Sequence, residues 1–193
     1  MRLLGVTGGI GMGKSAVAEA LRASGTPVVD TDAIARQLTQ PGSPAVAEIA
    51  RVFGASVLRP DGSLNRGELA RVVFQDDQAR AALESMLHPP IRAAWIAEAA
   101  RWRASGATVG VVVIPLLFET GAQSHFNAVV CVACSAATQE RRLRERGWAP
   151  RDIAGRLAAQ WPIEKKIAAA QHVIWTDTTL EVTGAQAARI VGR

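Results

Sequence analysis

The stretch that most constrains this chain is GVTGGIGMGKSAVAEAL, residues 5–21, in which glycines precede a Lys-Ser pair and an amphipathic helical pattern. It follows a short apolar run and fits G-x-x-x-x-G-K-[ST] with Gly8, Gly13, Lys14 and Ser15. Glycines allow the dihedrals with which a loop turns its N–H groups inward on a polyphosphate. A plain turn would need neither these glycines nor the Lys-Ser pair. The stretch therefore predicts a phosphate-binding loop (P-loop) between a strand and a helix.

Each part of the predicted loop has a chemical task. Lys14 would place a positive charge on the outer phosphates, and the helix N-terminus would add its dipole. Ser15 would offer a hydroxyl to Mg²⁺. Met12 would contribute only its backbone N–H, so we expect its side chain to point away from the phosphates. The residues predicted to contact the nucleotide here are Gly8, Gly9, Gly11, Met12, Gly13, Lys14, Ser15 and Ala16.

The rest of the chain alternates short apolar runs with longer helical patterns, which is typical of an α/β fold with a mainly parallel sheet between helices. Five strands are predicted, at 2–7, 27–30, 108–115, 127–134 and 172–175. We expect one domain over 1–193, with a core at 1–59 and 106–193. The segment 60–105 carries apolar residues at helical spacing and is predicted to form an inserted helical lobe.

Two carboxylates follow the second predicted strand, in VVDTDAIAR at 28–36. Asp30 and Asp32 would therefore lie at the carboxyl edge of the sheet, where open α/β folds bind their ligands. A carboxylate there can accept a proton from an attacking hydroxyl or orient Mg²⁺, whereas an Asp before a helix can also act as a cap. Capping and chemistry remain equal alternatives for Asp30. For Asp32 we favour catalysis.

The composition of the chain indicates what kinds of partner it can bind. The formal net charge of +5 suits a polyanion such as a phosphate compound. Cys131 and Cys134 form C-x-x-C inside an apolar run, where we expect them on opposite faces of a buried strand, as reduced apolar residues. The N-terminus does not fit a signal peptide, and no apolar run reaches membrane-spanning length. A cytoplasmic protein without a membrane partner is the expectation.

Further stretches match one known family in the order in which they occur. Besides GVTGGIGMGKS and VVDTDAIARQL, they are QPGSPA (40–45), FG (53–54), DGSLNRGELARVVF (61–74), LHPPIR (87–92), VVVIPLLFE (111–119) and RLAAQWP (156–162). Over nearly its whole length the chain resembles the dephospho-CoA kinase family. The resemblance implies transfer of the γ-phosphoryl group of ATP, with Mg²⁺, to the ribose 3′-hydroxyl of dephospho-CoA. It also implies a three-layer P-loop kinase fold with a helical CoA-binding lobe at 60–105 and an arginine-rich lid at 138–160.

The resemblance also implies roles for single residues. Asp32 would be the base near the 3′-hydroxyl, and Glu119 would reach Mg²⁺ through water. His88 would lie where the inserted lobe meets the acceptor, and Arg92, on the helix that follows, would pair with its pyrophosphate. His88 is equally well explained as a structural histidine. The residues implied for the acceptor are Asp32, Arg66, His88, Arg92, Leu116 and Leu117.

The stretch TQERRLRERGW, 138–148, carries the predicted lid arginines. Arg142 and Arg146 are four residues apart, which places them on one helical face. They match the arginines that the family places over the transferring phosphoryl group, where they would stabilise developing charge. The alternative is a solvated helix face laced with Arg and Glu.

Two departures from the family pattern concern the binding of the nucleotide. Ala16 stands where the family usually has Thr, which removes a hydroxyl that could bond the α-phosphate. QHVIWTD, 171–177, has Trp175 and Thr176 where the family has an Asp-Asn pair, near the loop that contacts adenine, so this departure bears on the preference for ATP.

Two rival functions remain. One is another P-loop kinase with a different acceptor, against which LHPPIR and IPLLFE argue. The other is a nucleotide-dependent switch or nucleic-acid motor, which the basic charge favours. The chain lacks the guanine signature Asn-Lys-x-Asp and any basic-aromatic stripe. We therefore expect a small-molecule kinase, without a nucleic-acid partner, that is a monomer or a weak homo-oligomer.

Overall fold

A computed structural model describes residues 1–148 and 150–192, apart from the side chains of residues 150–152. The chain divides into two units, Met1–Asp30 with Ala99–Arg193, and Thr31–Glu98. The helices, in chain order, are α1 (Lys14–Ala23), α2 (Thr31–Leu38), α3 (Pro44–Phe53), α4 (Arg66–Gln75), α5 (Asp77–Ala104), α6 (Ala136–Glu145), α7 (Pro150–Ala158), α8 (Ile163–Ala169) and α9 (Leu180–Val191). Short 3₁₀ helices cover Ala55–Val57 and Ala122–His125. Among the residues so described, no helix is long and apolar enough to cross a membrane.

The first unit is built on a sheet whose strands are all parallel. They are β1 (Arg2–Gly8), β2 (Val28–Asp30), β3 (Val109–Val113), β4 (Ala128–Ala133) and β5 (His172–Trp175), in the order β2-β3-β1-β4-β5. All five strands predicted from the sequence are present, with bounds that differ by at most two residues at either end. The predicted α/β class with a five-stranded parallel sheet is therefore confirmed.

The three central strands are buried on both faces, which explains their continuous valine-rich runs. On one face, alternate strand residues pack against α1 and α9. This core contains Leu4, Val6, Val17, Leu21, Val111, Val113, Val130, Val132, Ile174 and Ile190. Such burial, at roughly 1.5–3 kcal/mol for each large apolar side chain, holds the strand ends in place. The loops at those ends can therefore carry a site.

The two cysteines are free and buried. Cys131 lies in β4, but Cys134 lies one residue beyond the end of that strand. Contrary to the sequence prediction, the two cysteines are therefore not both strand residues on opposite faces. Burial raises the pKa of the Cys131 thiol to about 11. A thiol with so high a pKa is an apolar filler at neutral pH.

The second unit, Thr31–Glu98, is helical and has a core of its own. Helix α3 supplies Val46 and Ile49 to this core, and α4 supplies Leu69 and Val73. The sequence marks 60–105 as the inserted lobe, whereas this unit runs from Thr31 to Glu98 and includes α3, which shares its core. Helix α5 runs through Pro89 and Pro90 without a break. The expectation that Arg92 lies on a separate, following helix is therefore wrong.

Candidate active site

The loop between β1 and α1 has the backbone that the glycine pattern predicts. Gly8, Gly11 and Gly13 have φ angles of 148°, 75° and 91°, which residues with a Cβ rarely adopt. A Cβ at Gly8 would lie 2.2 Å from the carbonyl oxygen of Val132 in β4. Glycine is therefore required there both by the dihedral and by the neighbouring strand.

Lys14 is the first residue of α1, and its side chain lies along the loop. Its Nζ donates to the carbonyl oxygens of Gly8 at 2.8 Å and Gly9 at 2.9 Å. The first turn of α1 contains no acidic residue, so no carboxylate there offsets the positive end of the helix dipole. Ser15, next in this turn, is exposed. Positive charge and donor groups therefore converge at this loop.

The Met12 side chain points into the protein, as the sequence predicts. It is 3% exposed and packs with Ala133 and Cys134, at the end of β4, and with Ile163 and Ile167 of α8. This packing leaves the backbone of the loop as the part that can face a ligand.

Two glutamine side chains hold the Ile10 peptide group of the loop. Gln139 of α6 donates from Nε2 to the Ile10 carbonyl oxygen at 2.7 Å. Gln160, between α7 and α8, accepts from the Ile10 N–H through Oε1 at 3.2 Å. Sequence reasoning did not select either residue, although both lie in stretches that it singled out.

Arg142 also contacts the residues at this edge of the sheet. It lies on α6 and donates to Thr176 twice, from Nη1 to Oγ1 at 2.9 Å and from Nη2 to the carbonyl oxygen at 2.7 Å. Thr176 in turn donates from Oγ1 to the Met12 carbonyl oxygen at 3.0 Å. Thr176 thus connects Arg142 to the P-loop. In the sequence, Thr176 stands out only as a departure from the family pattern.

The other arginines of this stretch are placed differently. Helix α6 ends at Glu145, so Arg146 occupies the C-cap position and is exposed. Arg146, which the sequence predicts on the same helical face as Arg142, thus lies one residue beyond the end of α6. Arg141 and Arg144 form exposed ion pairs with Glu145 and Glu140, as expected for a solvated face.

Glu119 takes part in a buried ion pair that the sequence did not reveal. The Nζ of Lys166, whose side chain is 0% exposed, lies 2.8 Å from Glu119 Oε1 and donates to the Pro115 carbonyl oxygen at 2.8 Å. The backbone N–H of Trp161 donates to the same Oε1 at 2.8 Å. Glu119 Oε2 is buried and has no hydrogen-bond partner among the described residues. The pair joins the end of the segment after β3 to α8.

The two leucines of that segment differ in exposure. Leu117 is 0% exposed, and a Cβ added to Gly5 would lie 2.6 Å from its Cδ1. Leu117 is therefore a core residue against β1. Leu116 is half-buried, so it offers more surface to a ligand than its neighbour does.

Asp30 belongs to the first unit, and the remaining sequence-predicted residues belong to the second. Asp32 lies in the first turn of α2 and is exposed, whereas Asp30 ends β2, directly before that helix. Asp32 is therefore inside the helix and is not its cap. Arg66, at the start of α4, donates from Nη2 to Thr39 Oγ1 at 2.9 Å.

His88 and Arg92 lie four residues apart on α5, which places them on one helical face. His88 is half-buried and Arg92 is exposed. Within their own unit these two side chains can therefore contact one ligand together.

Comparison with known proteins agrees with this geometry. A family model described as dephospho-CoA kinase matches residues 2–181. The dephospho-CoA kinase of Anaeromyxobacter dehalogenans is 45% identical over 192 residues, which are 99% of this chain and 91% of that protein.

Solved structures of other proteins share the fold of this chain. A crystal structure from Thermus thermophilus has a TM-score of 0.85 at 34% identity and covers 98% of this chain and 95% of its own. The dephospho-CoA kinase from Campylobacter jejuni has a TM-score of 0.68 at 24% identity, covering 100% of this chain and 96% of its own, which shows a shared fold. The chain therefore belongs to the dephospho-CoA kinase family, whose members are nucleotide-using phosphotransferases that act on an alcohol group.

Proposed function

We propose that this protein transfers the γ-phosphoryl group of ATP to the ribose 3′-hydroxyl of dephospho-CoA, giving CoA and ADP, the last step of CoA biosynthesis. The family match over residues 2–181 supports the substrate pair. The observation that carries the chemistry is the loop of positive-φ glycines that leads into Lys14 at the start of α1. Such a loop presents backbone N–H groups and positive charge to a polyphosphate.

The proposed phosphate site uses the loop backbone from Gly8 to Gly13 together with Lys14 and the first turn of α1. On binding, the Lys14 ammonium would exchange its bonds to the Gly8 and Gly9 carbonyls for phosphate oxygens. A charge-assisted bond is stronger than a bond to a neutral carbonyl. Ala16 offers only its backbone N–H, which costs the site one hydroxyl contact.

The residues present fit a magnesium ion. Mg²⁺ prefers oxygen ligands and keeps several waters, so it needs few protein groups. Ser15 supplies an exposed hydroxyl beside Lys14. Glu119 retains one carboxylate oxygen, Oε2, that has no hydrogen-bond partner in the described part of the chain, while Oε1 is held by Lys166 and Trp161. When bound, the ion would neutralise charge on the phosphate oxygens.

The proposed catalytic groups are one carboxylate and two arginines. Asp32 would accept the proton of the attacking 3′-hydroxyl. Arg142 would stabilise charge on the phosphoryl oxygens in the transition state, because its bonds to Thr176 use only part of the five-donor guanidinium. Arg146 would join it from the C-cap of α6.

The acceptor is proposed to bind in the segment 60–105 and at the end of β3. Arg66 and Arg92 would pair with its phosphates and His88 would contact it from α5. Leu116 would form an apolar wall, and Leu117, which is buried, would support it from the core. The segment 138–160 is proposed as the lid that excludes water during transfer.

We further propose that the enzyme works in the cytoplasm as a monomer or weak homo-oligomer, without a nucleic-acid or membrane partner. Its free, buried cysteines are suited to a reducing compartment. The basic net charge would then serve its phosphorylated substrates.

The direct test is to incubate the purified protein with Mg²⁺, ATP and dephospho-CoA and to detect CoA by mass. Lys14→Ala is the matched negative control, since it should lose most transfer while keeping the fold, as judged by circular dichroism. Nucleoside monophosphates offered as competing acceptors test the rival kinase function. Formation of ADP with a phosphorylated nucleotide, and no CoA, would contradict the proposal.

A further inference from the structure

Thr176 lies where three parts of the first unit meet. It is the first residue after β5, and its backbone N–H donates to the carbonyl oxygen of Ala133 at the end of β4, at 2.8 Å. The residue is 2% exposed. The next residue, Asp177, accepts from the Ser135 N–H at 2.7 Å and from the Ser135 hydroxyl at 3.0 Å, just before α6. Thr176 is therefore held by its own backbone N–H and, on its C-terminal side, by the bonds of the Asp177 carboxylate to Ser135.

The Thr176 hydroxyl both donates and accepts a hydrogen bond. It donates to the Met12 carbonyl oxygen at 3.0 Å and accepts from Arg142 Nη1 at 2.9 Å. A hydroxyl has a single O–H to donate, and here it goes to the P-loop. Arg142 Nη2 also reaches the Thr176 carbonyl oxygen, at 2.7 Å. One buried side chain thus links the P-loop and the arginine.

The bond to Met12 also orients an amide of the loop. In a trans peptide group the C=O of one residue and the N–H of the next point in opposite directions. By holding the Met12 carbonyl, Thr176 therefore turns the Gly13 N–H the other way. Gly13 is itself close to this side chain, because a Cβ there would lie 3.1 Å from Thr176 Oγ1. The loop can be held so tightly only with glycine at this position.

We infer that Thr176 is a positioning residue for phosphoryl transfer, through which the Gly13 amide and the Arg142 guanidinium are set together for the nucleotide phosphates. The inference rests on the proposed function for its kinetic part. Its structural part, the ordering of the loop by one hydroxyl, is independent of the substrate. A preorganised donor stabilises the transition state because it needs no reorganisation during the reaction.

The test compares Thr176→Val, which keeps the shape and removes the hydroxyl, with Thr176→Ser, which keeps the hydroxyl. Thr183→Val is the matched control, because Thr183 is also 2% exposed but lies in α9 and contacts Thr178 instead of the loop. The readouts are kcat and KM for ATP, the melting temperature, and hydrogen–deuterium exchange of peptides covering residues 8–16.

We expect Thr176→Val to lower kcat/KM for ATP by about ten-fold or more, with a fall in kcat as well as a rise in KM. Exchange of the loop amides should become faster by a similar factor. Thr176→Ser should stay within about two-fold of the wild type in both readouts. Thr183→Val should change the melting temperature without changing the loop exchange.

Kinetics of Thr176→Val that match those of Thr183→Val would overturn the inference, and so would a Ser variant that behaves like Val. If the Val variant does not fold, Thr176→Ala is measured by the same readouts. If the wild type itself makes no CoA, the proposed function fails. Faster loop exchange in Thr176→Val then still supports the structural part, and unchanged exchange overturns it.

Discussion

The two units of this protein use their polar side chains differently. At the edge of the sheet in the first unit, polar side chains are largely withdrawn from solvent and bond to backbone groups far away in sequence. Lys166 bonds to the carbonyl of Pro115, 51 residues away, and Thr176 to that of Met12, 164 residues away. Each bond holds a loop at a strand end in one place.

In the second unit, three ion pairs between described residues are local and exposed. Arg51 with Glu48, Arg71 with Glu68, and Arg80 with Asp77 each join residues three apart on one helix. Such pairs contribute little to stability, because water and salt screen them. The core of this unit is apolar. The comparison shows that the buried hydrogen bonds that hold candidate site residues in place are concentrated in the first unit. Asp32 is the proposed catalytic residue that lies in the second unit instead.

Arg142→Ala should have the largest effect among the variants that probe this contrast. We expect kcat to fall on the order of 10³-fold, because the guanidinium would stabilise charge on the transferring group. Arg144→Ala, on the exposed face of the same helix, is the control and should leave the rate unchanged. If Arg142→Ala is as fast as the control, Arg142 has no role in the reaction and α6 is a solvated helix. Single-turnover kinetics make the measurement.

Lys166→Met should give the largest loss of stability. It leaves the Glu119 carboxylate buried without its cation, which typically costs about 3–5 kcal/mol of unfolding free energy. Urea denaturation measures the change. The double variant Lys166→Met with Glu119→Leu should recover part of the loss, since it removes the stranded charge. No recovery would mean that Lys166 acts mainly through its bond to the Pro115 carbonyl.

Asp32→Asn tests whether a residue of the second unit takes part in catalysis, against the contrast drawn above. As the proposed base it should lower kcat by about 10²-fold, with little change in ATP affinity. Steady-state kinetics together with titration calorimetry separate the two quantities. Equal losses in turnover and ATP affinity would indicate that Asp32 acts on Mg²⁺ instead of the acceptor hydroxyl.

Arg71→Ala should have the smallest effect and would sharpen the contrast. Its pair with Glu68 is exposed and local, so the free energy of unfolding should change far less than in Lys166→Met. The hydrogen bond to Arg71 holds the pKa of Glu68 below its ordinary value. The small stabilisation it brings is therefore present at neutral pH and is lost as the pH falls through the lowered pKa of Glu68. Urea denaturation at neutral and acidic pH checks both statements.

Much of the fold could be predicted because its signals are local. A strand buried on both faces reads as a short apolar run, as at Val109–Val113, wherever its neighbours are. The positive-φ glycines are equally readable, because the constraint lies within each residue. The end of α6 is less readable, since Arg146 follows Arg142 at helical spacing in the sequence while the helix stops at Glu145.

The sequence by itself determined the β1–loop–α1 unit and the positions of the strands, because backbone dihedrals and burial patterns act over a few residues. Only the tertiary structure decided the partners of Thr176, Gln139 and Lys166. A threonine, a glutamine or a lysine carries no sign in the sequence of which distant carbonyl it will meet. That choice depends on how the sheet brings its strand ends together, and a buried polar group must then bond to whatever lies within reach.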